Sequence, residues 1–161
     1  MKKYNAVLVL ILALFLFNSC KENSSGPPFG FTVFHTDCKQ AVLESKNNGC
    51  LVYSCDRIGN ISIHHINAGF NCCPDDFDVP VSVSGSSIII DETGVDGNCY
   101  CECLYDLSFT LTGLKPGKYT VIVKEPLLPA GDTALVLDID VPTQKYAEKC
   151  AGRSAYPWIT K

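Results

Sequence analysis

The stretch that most limits the fold is residues 99–111, which read Cys-Tyr-Cys-Glu-Cys-Leu-Tyr-Asp-Leu-Ser-Phe-Thr-Leu. The odd positions carry Cys99, Cys101, Cys103, Tyr105, Leu107, Phe109 and Leu111. The even positions carry Tyr100, Glu102, Leu104, Asp106, Ser108 and Thr110. Side chains along a strand alternate between faces, so this period of two predicts one long strand with an apolar inner face and a largely polar outer one. All three cysteines fall in line with the core residues, which predicts sulfur inside a sheet and off the solvent loops.

The rest of the chain repeats the pattern in shorter pieces. Aromatic and β-branched runs predict strands at 29–35, 51–55, 61–66, 79–83, 87–91, 118–123 and 133–141. Turn residues separate them at 56–60, 84–86, 93–98 and 114–117. Residues 67–74 predict a loop that holds the vicinal pair Cys72/Cys73. Asp37, three residues before Gln40, predicts a short capped helix with Cys38, Val42 and Leu43 on one face. Residues 143–150 predict one or two further helical turns closed by Gly152. About eight short strands with turns between them predict an all-β, antiparallel, disulfide-rich sandwich with one or two short helices. No repeat appears, and residues 31–161 read as one domain.

The N-terminus predicts an address. Met1-Lys2-Lys3 is positive, and residues 6–17 are an unbroken apolar run of signal-peptide length, too short to span a bilayer. Leu16-Phe17-Asn18-Ser19-Cys20 resembles the lipobox of bacterial lipoproteins. The resemblance implies a signal peptide over 1–19, diacylglycerol on the Cys20 sulfur and an acylated new N-terminus. Two or more acyl chains, at ~0.8 kcal/mol per buried methylene, hold a stable anchor. Residues 20–30 are small, polar and turn-rich, and read as a flexible tether. Lys21-Glu22 directly after the cysteine resembles the export signals of surface-exposed lipoproteins. The expected location is therefore the outer membrane, facing the periplasm or the cell surface.

The whole sequence has 13 Lys+Arg against 17 Asp+Glu. Removal of residues 1–19 takes away Lys2 and Lys3 and no acid, leaving 142 residues at a formal charge of −6. Without a basic patch, nucleic acid is excluded as a partner. The expected partners are the membrane, through the lipid on Cys20, and a protein or glycan at the cell surface.

Residues 111–123 look like the "Gly-Leu-x-Pro-Gly-x-Tyr" hairpin of immunoglobulin-like and prealbumin-like sandwiches. The segments 66–74, ending in Asn-Cys-Cys-Pro, and 99–106, Cys-x-Cys-x-Cys-x-Tyr-Asp, together resemble a group of cysteine-rich envelope lipoproteins. That likeness implies the fold and carries no activity with it.

Of the 10 cysteines, a lipidated Cys20 leaves Cys38, Cys50, Cys55, Cys72, Cys73, Cys99, Cys101, Cys103 and Cys150. In an exported domain these are disulfide candidates. An odd number leaves at least one thiol free. Cys72/Cys73 is expected to reach the Cys99–Cys103 face, because neighbouring cysteines seldom meet the geometry of a mutual bridge. The alternative is a soft-metal site for zinc or copper on Cys99, Cys101 and Cys103 with Cys72 and Cys73, and His35, His64 or His65 as further ligands. Against it, a flat strand splays its ligands where a zinc knuckle gathers them. The Cys-x-x-Cys spacing of thiol exchange does not occur.

Other groups have plainer readings. His64 and His65 face opposite ways in a strand, one exposed and one satisfied in the core. Asp75, Asp76 and Asp78, and Asp91, Glu92 and Asp96, read as solvated turns, since no complete calcium loop is present. No nucleophile elbow and no phosphate loop occurs. Trp158, beside Tyr156 and Pro157, reads as a terminal cover for the sandwich. The expectation is a non-enzymatic binding or structural module with no cofactor.

Overall fold

A computed structural model describes residues 29–39 and 48–154. The signal segment, Cys20, most of the tether, residues 40–47 of the expected first helix, and Trp158 lie outside them. The elements are β1 (Gly30–His35), β2 (Asn48–Cys55), β3 (Ile61–Asn71), β4 (Val81–Ser84), β5 (Ser87–Asp91), β6 (Glu102–Thr112), β7 (Gly117–Lys124), β8 (Val136–Val141) and β9 (Tyr146–Gly152). They form two sheets, β1-β6-β3-β2-β9 and β4-β5-β7-β8. The described residues are all-β, with no helix among them.

Alternation builds the core. In β2, Leu51, Tyr53 and Cys55 are buried and their neighbours half-buried; β3 continues the pattern with Ile61, Ile63 and His65. Leu107, Phe109 and Leu111 of β6 lie in the same buried cluster as Ile88, Ile90, Val121, Val123, Leu137 and Ile139 of the second sheet. Burial of such side chains is worth about 1.5–3 kcal/mol each, and the two sheets share this one core.

Several expectations need correction. The central strand starts at Glu102, not Cys99. Disulfides to the 72–73 loop and hydrogen bonds from Asn71 hold residues 99–101 outside the ladder, so Cys101 is exposed and Cys99 half-buried, while Cys103 is buried. Residues 146–152 form strand β9, where helical turns were expected. They pair along β2 from Ser54↔Tyr146 to Asn48↔Gly152, and the ladder overrides a weak local preference. The strand 61–66 runs on to Asn71 through the expected loop. A bulge makes this possible: the register shifts between His65 and Ala68, and Asn67 takes φ 62°, a left-handed conformation that asparagine tolerates. The Asp106 carboxylate holds the bulge, accepting from the Asn67 amide at 2.9 Å and from Lys39 Nζ at 2.5 Å.

The expected antiparallel arrangement holds for every pair but one. β5 and β7 run parallel, Ser87↔Thr120 to Asp91↔Lys124. Between them the chain crosses to the other sheet as β6 and returns, the kind of long connection a parallel pair requires. Near the expected first helix, Lys39 is bridged to Leu104, which places Cys38 in an extended approach to β6.

Candidate functional site

At one end of the five-stranded sheet, the loop after β3 lies against the segment that leads into β6. Cys72 is bridged to Cys101 and Cys73 to Cys99, with Cα separations of 5.5 and 5.6 Å. Hydrogen bonds hold the same two segments together independently of sulfur. Asn71 Oδ1 accepts from the amides of Cys73 and Cys99, at 3.0 and 3.2 Å, and its Nδ2 donates to the Cys99 carbonyl at 2.6 Å. The Cys72 amide donates to the Cys101 carbonyl, and the Asp75 amide to the Asp96 carbonyl, each at 3.1 Å. The Sγ atoms of Cys72, Cys99 and Cys101 all lie within 4.8 Å of one another.

Gly97 closes this packing. A Cβ there would stand 2.6 Å from both Asn71 Oδ1 and the Cys73 carbonyl oxygen. Gly97→Ala should therefore cost about 1–3 kcal/mol, as overpacking does. A denaturant midpoint unchanged from wild type would show that the two segments are not locked together in this way.

Other sulfurs lie apart from this group. Cys38 is bridged to buried Cys103, and Cys50 to Cys150 across the β2–β9 pair. Cys55 is buried as a thiol. In this oxidised form none of the five sulfurs proposed for a metal is a thiolate, and Cys103 belongs to a different bridge. Nor, among the described residues, does any histidine share a ligand-spaced group with the sulfurs. His35 Nδ1 meets the Thr36 carbonyl and its ring packs 4.2 Å from Phe77. His64 Nδ1 meets Ser108 Oγ at 2.8 Å.

His65 is part of something the sequence reading missed. It is fully buried, with Nδ1 2.8 Å from Glu92 Oε1, itself fully buried, and Nε2 3.7 Å from Glu125 Oε1. Arg153 forks onto both oxygens of Glu125 at 2.7 Å and donates from Nη1 to the Thr133 carbonyl. Glu92 was expected in a solvated turn, yet it is a core residue. Burial disfavours the imidazolium of His65, but the charges of Glu92 and Glu125 outweigh this and raise its pKa. Burial also raises the pKa of Glu92, against the lowering pull of His65. The pair titrates as a unit that holds its proton tightly. His65 Nε2 and Glu92 Oε2 have no hydrogen-bond partner among the described residues.

No protein family, curated protein or solved structure matches the chain. The residues alone carry the functional argument. Tyr100, between the bridged Cys99 and Cys101, is fully exposed. Beside the bridges, a cleft of about 220 Å³ is lined by Phe70, Val95, Asp96, Glu102 and Leu127 among others. From residue 66 to residue 114 the chain has eight acids and no Lys or Arg.

Proposed function

We propose that the protein is a lipid-anchored module of the cell envelope, at the outer membrane of a Gram-negative cell, that binds or braces without catalysing a reaction. The observation that supports this best is the set of four disulfides among the described residues, since such bonds persist in exported compartments. Eight of the nine described cysteines are in bridges and the ninth, Cys55, is a buried thiol, while Cys20 carries the lipid in this reading because of its lipobox-like context. We assign the two sheets to the immunoglobulin-like or prealbumin-like sandwiches on the sequence resemblance of residues 111–123, although these residues cross from β6 in one sheet to β7 in the other and do not form the hairpin expected of them. The contact surface is the bridged end. Two disulfides hold Tyr100 out in solvent, and a rigid exposed tyrosine gives much contact area for little loss of entropy. A protein or glycan partner fits such a surface.

The test is to express the full chain in a Gram-negative host with labelled palmitate and to fractionate the cells. Wild type should carry label and sediment with outer membranes, whereas Cys20→Ser should be unlabelled and soluble. A soluble, unlabelled wild type would remove the anchor from the proposal, and label retained by Cys20→Ser would place the lipid elsewhere.

A further inference from the structure

We propose that the double bridge at Cys72, Cys73, Cys99 and Cys101 is a redox-gated site for a soft cation, closed when oxidised and able to bind one zinc ion when reduced. Three of its sulfurs already lie within 4.8 Å of one another, and the fourth, Cys73 Sγ, is bonded to Cys99. In a tetrahedral zinc site with Zn–S of about 2.3 Å, neighbouring sulfurs stand about 3.8 Å apart. Reduction therefore has to spread the sulfurs by only a small movement.

The hydrogen bonds make the gathering independent of the bridges. Asn71 ties the backbone of Cys73 to that of Cys99, and the Cys72 amide holds the Cys101 carbonyl. Tight packing at Gly97 keeps the two segments in register. Opening both disulfides leaves these contacts in place, so the four thiols stay together. Access is also provided, because Cys73 and Cys101 are exposed.

The chemistry balances with a dithiol reductant. Two dithiols reduce the two disulfides to four thiols and leave as two cyclic disulfides. Zn²⁺ then displaces four protons from those thiols and forms four Zn–S bonds. Uptake should therefore weaken as pH falls. Cys103 takes no part, which narrows the ligand set expected from the strand pattern.

The experiment uses the full-length protein reduced with a phosphine, freed of reductant under nitrogen, and titrated with Zn²⁺ and separately with Co²⁺. Native mass spectrometry should show one zinc per reduced chain and none on the oxidised chain. Cobalt should give the visible bands of a tetrahedral thiolate site. The Cys50→Ser/Cys150→Ser variant should keep the ion, and the Cys99→Ser/Cys101→Ser variant should lose it. Circular dichroism reports whether the reduced chain keeps its sheets. No stoichiometric zinc on a folded reduced chain would overturn the proposal, as would loss of the sheets on reduction. Binding that survives Cys99→Ser/Cys101→Ser and vanishes in Cys50→Ser/Cys150→Ser would overturn it too, placing the ion at Cys50, Glu148 and Cys150.

Discussion

Glu92→Ala is expected to remove about 3–5 kcal/mol of folding stability, because it leaves buried His65 facing an empty space where its carboxylate stood. That is a large share of the roughly 5–15 kcal/mol that holds a typical domain together. Burying a charge without its partner is what costs so much, so removing both partners should cost less. The His65→Leu/Glu92→Leu variant should recover most of the loss. Urea midpoints at constant slope read the difference. A loss below about 1 kcal/mol for Glu92→Ala would mean that water reaches the pair.

The same cluster sets a pH dependence. His65 binds its proton more tightly folded than unfolded, so its contribution is fully present below its ordinary value of 6.5 and is lost as pH rises through the folded value. Glu92, raised above its ordinary 4.5, has the same sign. Glu125 and Arg153 flank the pair and hold each other. The wild-type urea midpoint should fall between mildly acidic and alkaline pH, and that slope should be much smaller in the double leucine variant. A wild-type midpoint that rises over this range would reverse the assignment.

This cluster also shows what was legible in the sequence. Ile61, Ile63, then His65; Ile88, Ile90, then Glu92; Val121, Val123, then Glu125: each charged residue takes the next inward place along an alternating strand or just past its end. Period two pointed to these three, and the habit of placing acids in solvent hid Glu92 and Glu125. The converse happened at Cys99 and Cys101, where alternation ran on past the true strand end. There the disulfides and the Asn71 side chain, which no local pattern encodes, held the chain off the sheet. β9 was missed for a similar reason. Residues 146–152 have no inward alternation of their own and become a strand only because β2 offers an unpaired edge. The reach of Cys72/Cys73 towards the 99–103 segment was legible, since a vicinal pair has to bridge elsewhere.

The bridges differ in what they hold, and that gives the second large effect. Cys50–Cys150 closes a sequence separation of 100 residues and ties β9 to β2 at the sheet edge. Even with the loop shortened by the other bridges, Cys50→Ala/Cys150→Ala should cost about 4 kcal/mol on the chain-entropy account. Cys73–Cys99 instead sits inside Cys72–Cys101, with separations of 26 and 29. Each closes a loop that the other already keeps closed, so removing either one alone should cost about 2 kcal/mol or less. Removing both frees the whole loop and should cost about 3–4 kcal/mol. The entropy model therefore predicts a strong ranking: the edge bridge first, the nested pair together next, and each nested bridge alone last. Thermal unfolding of the oxidised variants tests that order. If either nested bridge alone costs as much as Cys50–Cys150, the stabilisation comes from packing around the sulfurs in the folded protein, and chain entropy is not its source.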